Sequence, residues 1–136
     1  MRTPWRIFVP SKGRPECSTA KLLAAEQVRC TLVVEPHEAD AYREQVAGPS
    51  IELLVLPESE QGIAFARNAI LRANAEALGG WYWMLDDDIA NAYRAVNGKC
   101  RHAPLSDVLA DMEARAFNLP GQVAQLALEY QQFAWS

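Results

Sequence analysis

Residues 51–88 read IELLVLPESEQGIAFARNAILRANAEALGGWYWMLDDD, and their pattern decides the fold. Ile51 to Leu56 is a short apolar run closed by Pro57, the mark of a buried strand. A polar loop, Glu58 to Gln61, leads to Gly62. From Gly62 to Leu78 the residues Ile63, Ala66, Ile70, Ala73 and Ala77 form a stripe with helical spacing, stopped by Gly79-Gly80. Trp81 to Leu85 is a second apolar run, and it passes straight into Asp86-Asp87-Asp88. Strand, helix, strand at this spacing is a crossover unit, which joins parallel strands.

The same alternation extends upstream. Trp5 to Val9 predicts a first strand, stopped by Pro10 and the turn Ser11-Lys12-Gly13-Arg14-Pro15. Ser18 to Arg29 predicts a helix with Ser18 as its N-cap, and Thr31 to Val34 a second strand. Pro36 suits a helix's first position, and the polar run His37 to Val46, ending at Gly48, predicts an exposed helix. Downstream, Ile89 to Val96 reads as a short strand and Asn97-Gly98 as a turn, with helices over Ser106–Phe117 and Pro120–Phe133. The expected fold is therefore α/β, a mostly parallel sheet with helices on both faces.

Composition bounds the rest. A chain of 136 residues and 15.1 kDa has the size of one domain. Half its residues are hydrophobic and 22% are charged, which excludes a disordered tail. The net charge of −4 gives no general drive toward nucleic acid or an anionic membrane. Residues 1–34 run the other way, with six cations (Arg2, Arg6, Lys12, Arg14, Lys21, Arg29) against Glu16 and Glu26. Cys17, Cys30 and Cys100 are odd in number and widely spaced, so reduced, buried thiols are expected rather than disulfides or a zinc site. With no signal-peptide core and no apolar stretch of about 18 residues, the chain reads as soluble and cytoplasmic with no membrane partner. It carries no signature of oligomeric state.

Ligands of parallel sheets sit at the carboxyl ends of the strands, and each expected strand end here is polar. Three adjacent aspartates repel one another unless a cation offsets them. On extended chain Asp86 and Asp88 project to one side and Asp87 to the other, and hard oxygen ligands suit Mn²⁺ or Mg²⁺ bound with substrate phosphates. A solvated turn, or Asp88 capping a helix, explains the same letters. Ser11, Lys12, Gly13 and Arg14 offer a hydroxyl, a mobile backbone and two cations to a phosphate, and also make an ordinary surface turn. Glu35 is placed to accept hydrogen bonds from a base or ribose, or to favour the dipole of the helix after Pro36. Gly62 opens a helix whose free N–H groups suit a diphosphate, with Arg67 and Asn68 just over a turn in; the alternative is an exposed face of a packed helix. Trp81, Tyr82 and Trp83 read as strand and core residues, and His37 and His102 as surface histidines. The absence of G-x-S-x-G, G-x-x-x-x-G-K-[ST] and H-E-x-x-H argues against an α/β-hydrolase, a P-loop NTPase and a zincin.

Taken in order, IFVPSKGRP, VVE, QGIAFARN and WYWMLDDD resemble the nucleotide-binding half of GT-A fold glycosyltransferases. VPSKGRP with LDDDI is similar, more narrowly, to the phage-type TET-associated glycosyltransferases, which add sugar to hydroxymethylated pyrimidines in DNA. The resemblance implies a Rossmann-like GT-A domain over residues 1–136. Residues 1–95 would be the nucleotide-sugar half and 96–136 a helical, incomplete C-terminal part. It implies that Pro10, Ser11, Lys12 and Arg14 line the nucleotide pocket and that Glu35 meets base or ribose. Gly62, Arg67 and Asn68 would approach the diphosphate, while a D-x-D motif of Asp86 and Asp88 holds Mn²⁺ or Mg²⁺, Asp86 also touching the nucleotide. The donor it implies is a nucleotide-diphosphate sugar, a UDP-sugar by preference, and the acceptor hydroxymethylated DNA. No catalytic base is assigned: Asp107, Asp111 and Glu113 qualify by chemistry alone and read as helix-surface carboxylates. Two other classes compete, a nucleotidyltransferase on a related sheet and a non-catalytic nucleotide-binding module. The first loop lacks the Gly-rich opening of the former, and the short C-terminal region speaks for the latter.

Overall fold

The computed structural model describes residues 5–46, 48–77, 80–119 and 128. They divide into two compact units, with the boundary between Ala90 and Asn91. The larger holds β1 (Arg6–Pro10), α1 (Ser18–Ala25), β2 (Cys30–Val34), a 3₁₀ turn (Pro36–Glu38), α2 (Ala39–Gln45), β3 (Ile51–Val55), α3 (Ile63–Ala77) and β4 (Tyr82–Met84). The smaller holds β5 (Ala92–Val96), β6 (Lys99–Ala103) and α4 (Leu105–Asn118).

The sheet of the larger unit has the order β3-β2-β1-β4, and every neighbouring pair is parallel. This is the expected α/β architecture. Alternation along each strand gives the sheet two apolar faces. Phe8 and Val33 on one face pack with Leu56 and with Ala66 and Ile70 of α3, while Tyr82 and Met84 border the cluster. Ile7, Val9, Leu32, Val34 and Trp83 on the other face are equally buried. Ser11 continues that second face and meets Tyr42 of α2, which places α2 opposite α3.

Several expectations need correction. The first helix stops at Ala25 rather than Arg29, because Gln27 adopts φ +59 and breaks the helical path. Its N-cap is Cys17, not Ser18, and it makes no side-chain capping bond. The polar segment after Pro36 is the mostly exposed helix expected, but one face is turned inward, with Ala39 buried and Tyr42 wholly inaccessible. On α3 the stripe is rotated: Ile63 is 54% exposed, whereas Asn74 is buried with its amide donating to the Gly80 carbonyl at 3.0 Å. Beyond Val96 the chain returns as β6, a strand not expected, through a turn with Asn97 at φ +52 and Gly98 at +76. Two successive left-handed residues match the tight hairpin turn whose twist suits paired strands. Cys17 and Cys30 are buried but Cys100 is only half-buried. The helix expected over Pro120–Phe133 lies outside the described residues, Leu128 excepted.

Candidate donor site

The β-strand order reverses direction at β1: β2 and β3 follow on one side, β4 lies on the other. Such a switch point leaves a crevice at the carboxyl ends of the two central strands. The loop after β1 and the loop after β4 meet there. Ser11 begins the first loop, held by its N–H donating to the Val33 carbonyl at 3.0 Å, and is itself buried. Leu85 N–H donates to the Phe8 carbonyl at 3.0 Å, carrying the β1–β4 pairing up to the aspartates.

The centre of the contact is Asp87. Its Oδ2 accepts from the Ser11 hydroxyl at 2.6 Å, and its Oδ1 from Arg14 Nη1 at 2.9 Å. Because the single Ser11 proton is committed to the carboxylate, Tyr42 must donate to Ser11 Oγ, 2.6 Å away. The Tyr42 oxygen in turn accepts the Arg14 backbone N–H at 3.1 Å. Asp87, Ser11, Tyr42 and Arg14 therefore close a ring of hydrogen bonds with each donor used once. Arg14 Nη1 also lies 3.2 Å from Asp88 Oδ2, and the two carboxylates, Asp87 foremost, raise the guanidinium pKa. Burial raises the Tyr42 phenol, so it keeps its proton for the ring.

Residues 87 and 88 form a turn rather than extended chain, which removes the premise that Asp86 and Asp88 share a side by alternation. Thr19, fully buried at the start of α1, brackets this turn by donating to the Asp86 carbonyl and accepting from Ile89 N–H at 2.9 Å. Asp87 is turned inward with its side chain 14% exposed, and Asp86 and Asp88 are exposed. Two exposed carboxylates at a strand end are a hard-oxygen donor set, and substrate phosphates and water complete such a set around Mn²⁺ or Mg²⁺. In donor chemistry Asp86 and Asp88 fit that group, with Asp88 Oδ2 already 3.2 Å from Arg14 Nη1.

A second cluster joins β1 to the ends of β2 and β3. Lys12 Nζ lies 2.7 Å from Glu60 Oε2 and 3.5 Å from Glu35 Oε2. The Glu60 carboxylate, hydrogen-bonded to Lys12, is lowered in pKa, and the Lys12 ammonium is raised by the same bond. Glu35 is buried and accepts the Glu60 backbone N–H at 3.2 Å. His37 is an exposed surface residue as expected, and its Nδ1 sits 2.8 Å from Ser59 Oγ and 3.6 Å from Glu35 Oε1. Ligand atoms of Glu35, His37 and Glu60 all lie within 4.8 Å of one another, a spacing where Lys12 already supplies the cation. Glu38 accepts the Gly13 N–H at 2.8 Å, leaving its buried Oε1 without a partner among the described residues.

Pro10 is half-buried at the end of β1. Gly62, at φ +85, precedes α3, and its carbonyl accepts the Ala66 N–H. Arg67 and Asn68 are exposed on α3. Lys12 and Glu35 are thus brought together, as are Arg14 and Asp88, while Arg67 and Asn68 stand apart from both clusters' hydrogen bonds. Tyr42 and Thr19 escaped the sequence reading, which noted Asp87 and Glu60 but gave neither a role at the site. Of the candidate bases, Asp111 is bound to Arg94 at 2.8 Å, and Glu113 is 3% exposed, so it is not the surface carboxylate expected.

The family model of the TET-associated glycosyltransferases matches residues 5–136. The chain belongs to that family. Comparison with curated proteins gives no significant match. Membership makes the protein a glycosyltransferase, an enzyme that uses a nucleotide-sugar donor and an acceptor. It agrees with the resemblance carried by VPSKGRP and LDDDI, and the parallel sheet agrees with a Rossmann-like GT-A fold. As a TET-associated glycosyltransferase, the chain has its loop contacts where a doubly wound sheet binds nucleotides. No helix among the described residues is long and apolar enough to cross a membrane.

Proposed function

We propose that this TET-associated glycosyltransferase moves a sugar from a UDP-type donor to the hydroxyl of a hydroxymethylated pyrimidine in DNA, with a divalent cation. The observation that carries the reading is the meeting of the Ser11–Arg14 loop and the Asp86–Asp88 loop at the switch point. Asp86 and Asp88 would hold Mn²⁺ or Mg²⁺, which when bound supplies Lewis-acid stabilisation of the leaving diphosphate. Lys12 and Arg14 stand at the same strand ends to share the developing negative charge, with Arg67 and Asn68 supporting the diphosphate from α3. Glu35, with Pro10 and Ser11 beside it in the β1 loop, would receive the nucleoside, and Gly62 lets the phosphates approach the α3 N-terminus.

Incubation with UDP-sugars, Mn²⁺ and a duplex containing 5-hydroxymethylcytosine tests this. The expected result is a mass gain of one hexosyl or related unit per modified base, with UDP released. Pyrophosphate release from a nucleoside triphosphate would instead establish the nucleotidyltransferase. Metal-dependent nucleotide binding with neither transfer nor donor hydrolysis would establish a binding module.

A further inference from the structure

From Ile89 to Ser106 the chain contains no acidic residue, while Arg94, Lys99 and Arg101 supply three cations and His102 a titratable fourth group. In a protein of net charge −4 this is a local reversal. The segment folds as the β5–β6 hairpin, whose register sets Arg94 opposite Arg101, Val96 opposite Lys99 and Tyr93 opposite His102. Alternation then puts Arg94, Val96, Lys99 and Arg101 on one face of the ribbon. Like charges directly opposite one another across an antiparallel pair destabilise it. Asp111 of α4 neutralises Arg94, with Nε to Oδ2 at 2.8 Å. Among the described residues Lys99 and Arg101 form no ion pair, and both are exposed, as is His102.

The arrangement leaves Lys99 and Arg101 open to an anion from outside the chain, and the layout bears on which kind. Lys99 and Arg101 stand two residues, about 7 Å, apart along β6, with Arg94 across from Arg101 on β5, so the charge is spread beyond what a single phosphate spans. Duplex DNA carries a charge for roughly every 1.7 Å of its axis, and its major groove, about 12 Å wide, admits a two-stranded ribbon. Between the cations stand Ala95, Val96, Asn97 and Gly98, where Val96, 40% exposed, is the single sizeable apolar side chain, short of the several that seat an element in a bilayer. We infer that the β5–β6 hairpin is a DNA-docking element in which Lys99 and Arg101, backed by Arg94, contact backbone phosphates. The inference deepens the reading that the acceptor is DNA and rests on it.

Fluorescence anisotropy of the full chain with an unmodified 20-bp duplex, over a series of salt concentrations, tests it. The Lys99→Gln/Arg101→Gln variant is expected to bind about tenfold more weakly, with a log–log salt slope shallower by about 2. Arg101→Glu sets a carboxylate opposite Arg94, so thermal stability should hold or rise while DNA affinity falls at least as far. A merely structural role would move stability and affinity together. Wild-type affinity and slope in both variants overturn the inference, as does a wild-type chain that fails to bind the duplex. So does a loss confined to anionic phosphatidylserine vesicles. Sugar transfer assayed beside binding separates the two readings. Hairpin-dependent duplex binding without transfer to hydroxymethylated DNA removes the acceptor reading alone, and transfer unaffected by the variants removes the hairpin alone.

Discussion

Asp87 shows how one side chain joins two loops that lie 70 or more residues apart in sequence. Its carboxylate is mostly buried, so the two charge-assisted bonds it accepts count for more than exposed ones. Asp87→Ala is expected to cost about 1–3 kcal/mol of stability in denaturant unfolding, because the buried Ser11 hydroxyl loses its acceptor and the Arg14 guanidinium keeps only Asp88. Tyr42→Phe removes only the relay oxygen, and the expected loss is smaller, about 1 kcal/mol. Both should weaken UDP binding in calorimetry by loosening the Ser11–Arg14 loop. At Cys30, burial pushes the thiol up to about 12. In the unfolded chain the thiol ionises near its ordinary value, so above about pH 9 the unfolded state loses a proton that the folded state keeps. Stability contributed by this thiol is therefore complete below pH 9 and lost as pH rises toward 12, at up to about 1.4 kcal/mol per pH unit. Cys30→Ala should flatten that part of the stability–pH curve, measured by thermal melts. The aspartate run was legible as the chemically loaded feature, but not the inward role of its middle member. That role depends on the turn at residues 87 and 88, and on Tyr42, which lies in a segment whose letters are otherwise polar.

At the scale of elements, α3 carries the core of one sheet face through Ala66 and Ile70. Ile70→Ala should cost about 2–5 kcal/mol, the range for removing a fully buried aliphatic side chain, read from the denaturant midpoint at unchanged slope. Ile63→Ala, on an exposed side chain of the same helix, should change stability by less than about 0.5 kcal/mol. The contrast shows what periodicity supplies and what it omits. The stripe from Ile63 to Ala77 announces a helix, but the rotation that buries Asn74 comes from its bond to the Gly80 carbonyl, a contact invisible in the spacing. The hairpin was half-legible for a related reason. Asn97-Gly98 marks the turn, yet Lys99 to Ala103 reads KCRHA, with no apolar face at a two-residue period to announce a strand.

For the whole molecule, the order β3-β2-β1-β4 matters more than any single motif. Four short apolar runs, each ending in polar residues, were enough to foresee parallel strands and a ligand crevice. Which ends meet follows from the strand order, and it brings β1 and β4 together while Lys12 reaches to the ends of β2 and β3. The central claim is that this crevice holds a nucleoside diphosphate with a divalent cation. The most direct measurement is calorimetric titration of UDP into the full chain with Mn²⁺, with EDTA, and with an Asp86→Ala/Asp88→Ala variant of confirmed fold. The account predicts saturable binding with Mn²⁺ that falls at least tenfold on chelation and in the double variant. UDP binding of equal strength in all three samples, or no binding of any nucleoside diphosphate with Mn²⁺ present, would contradict it.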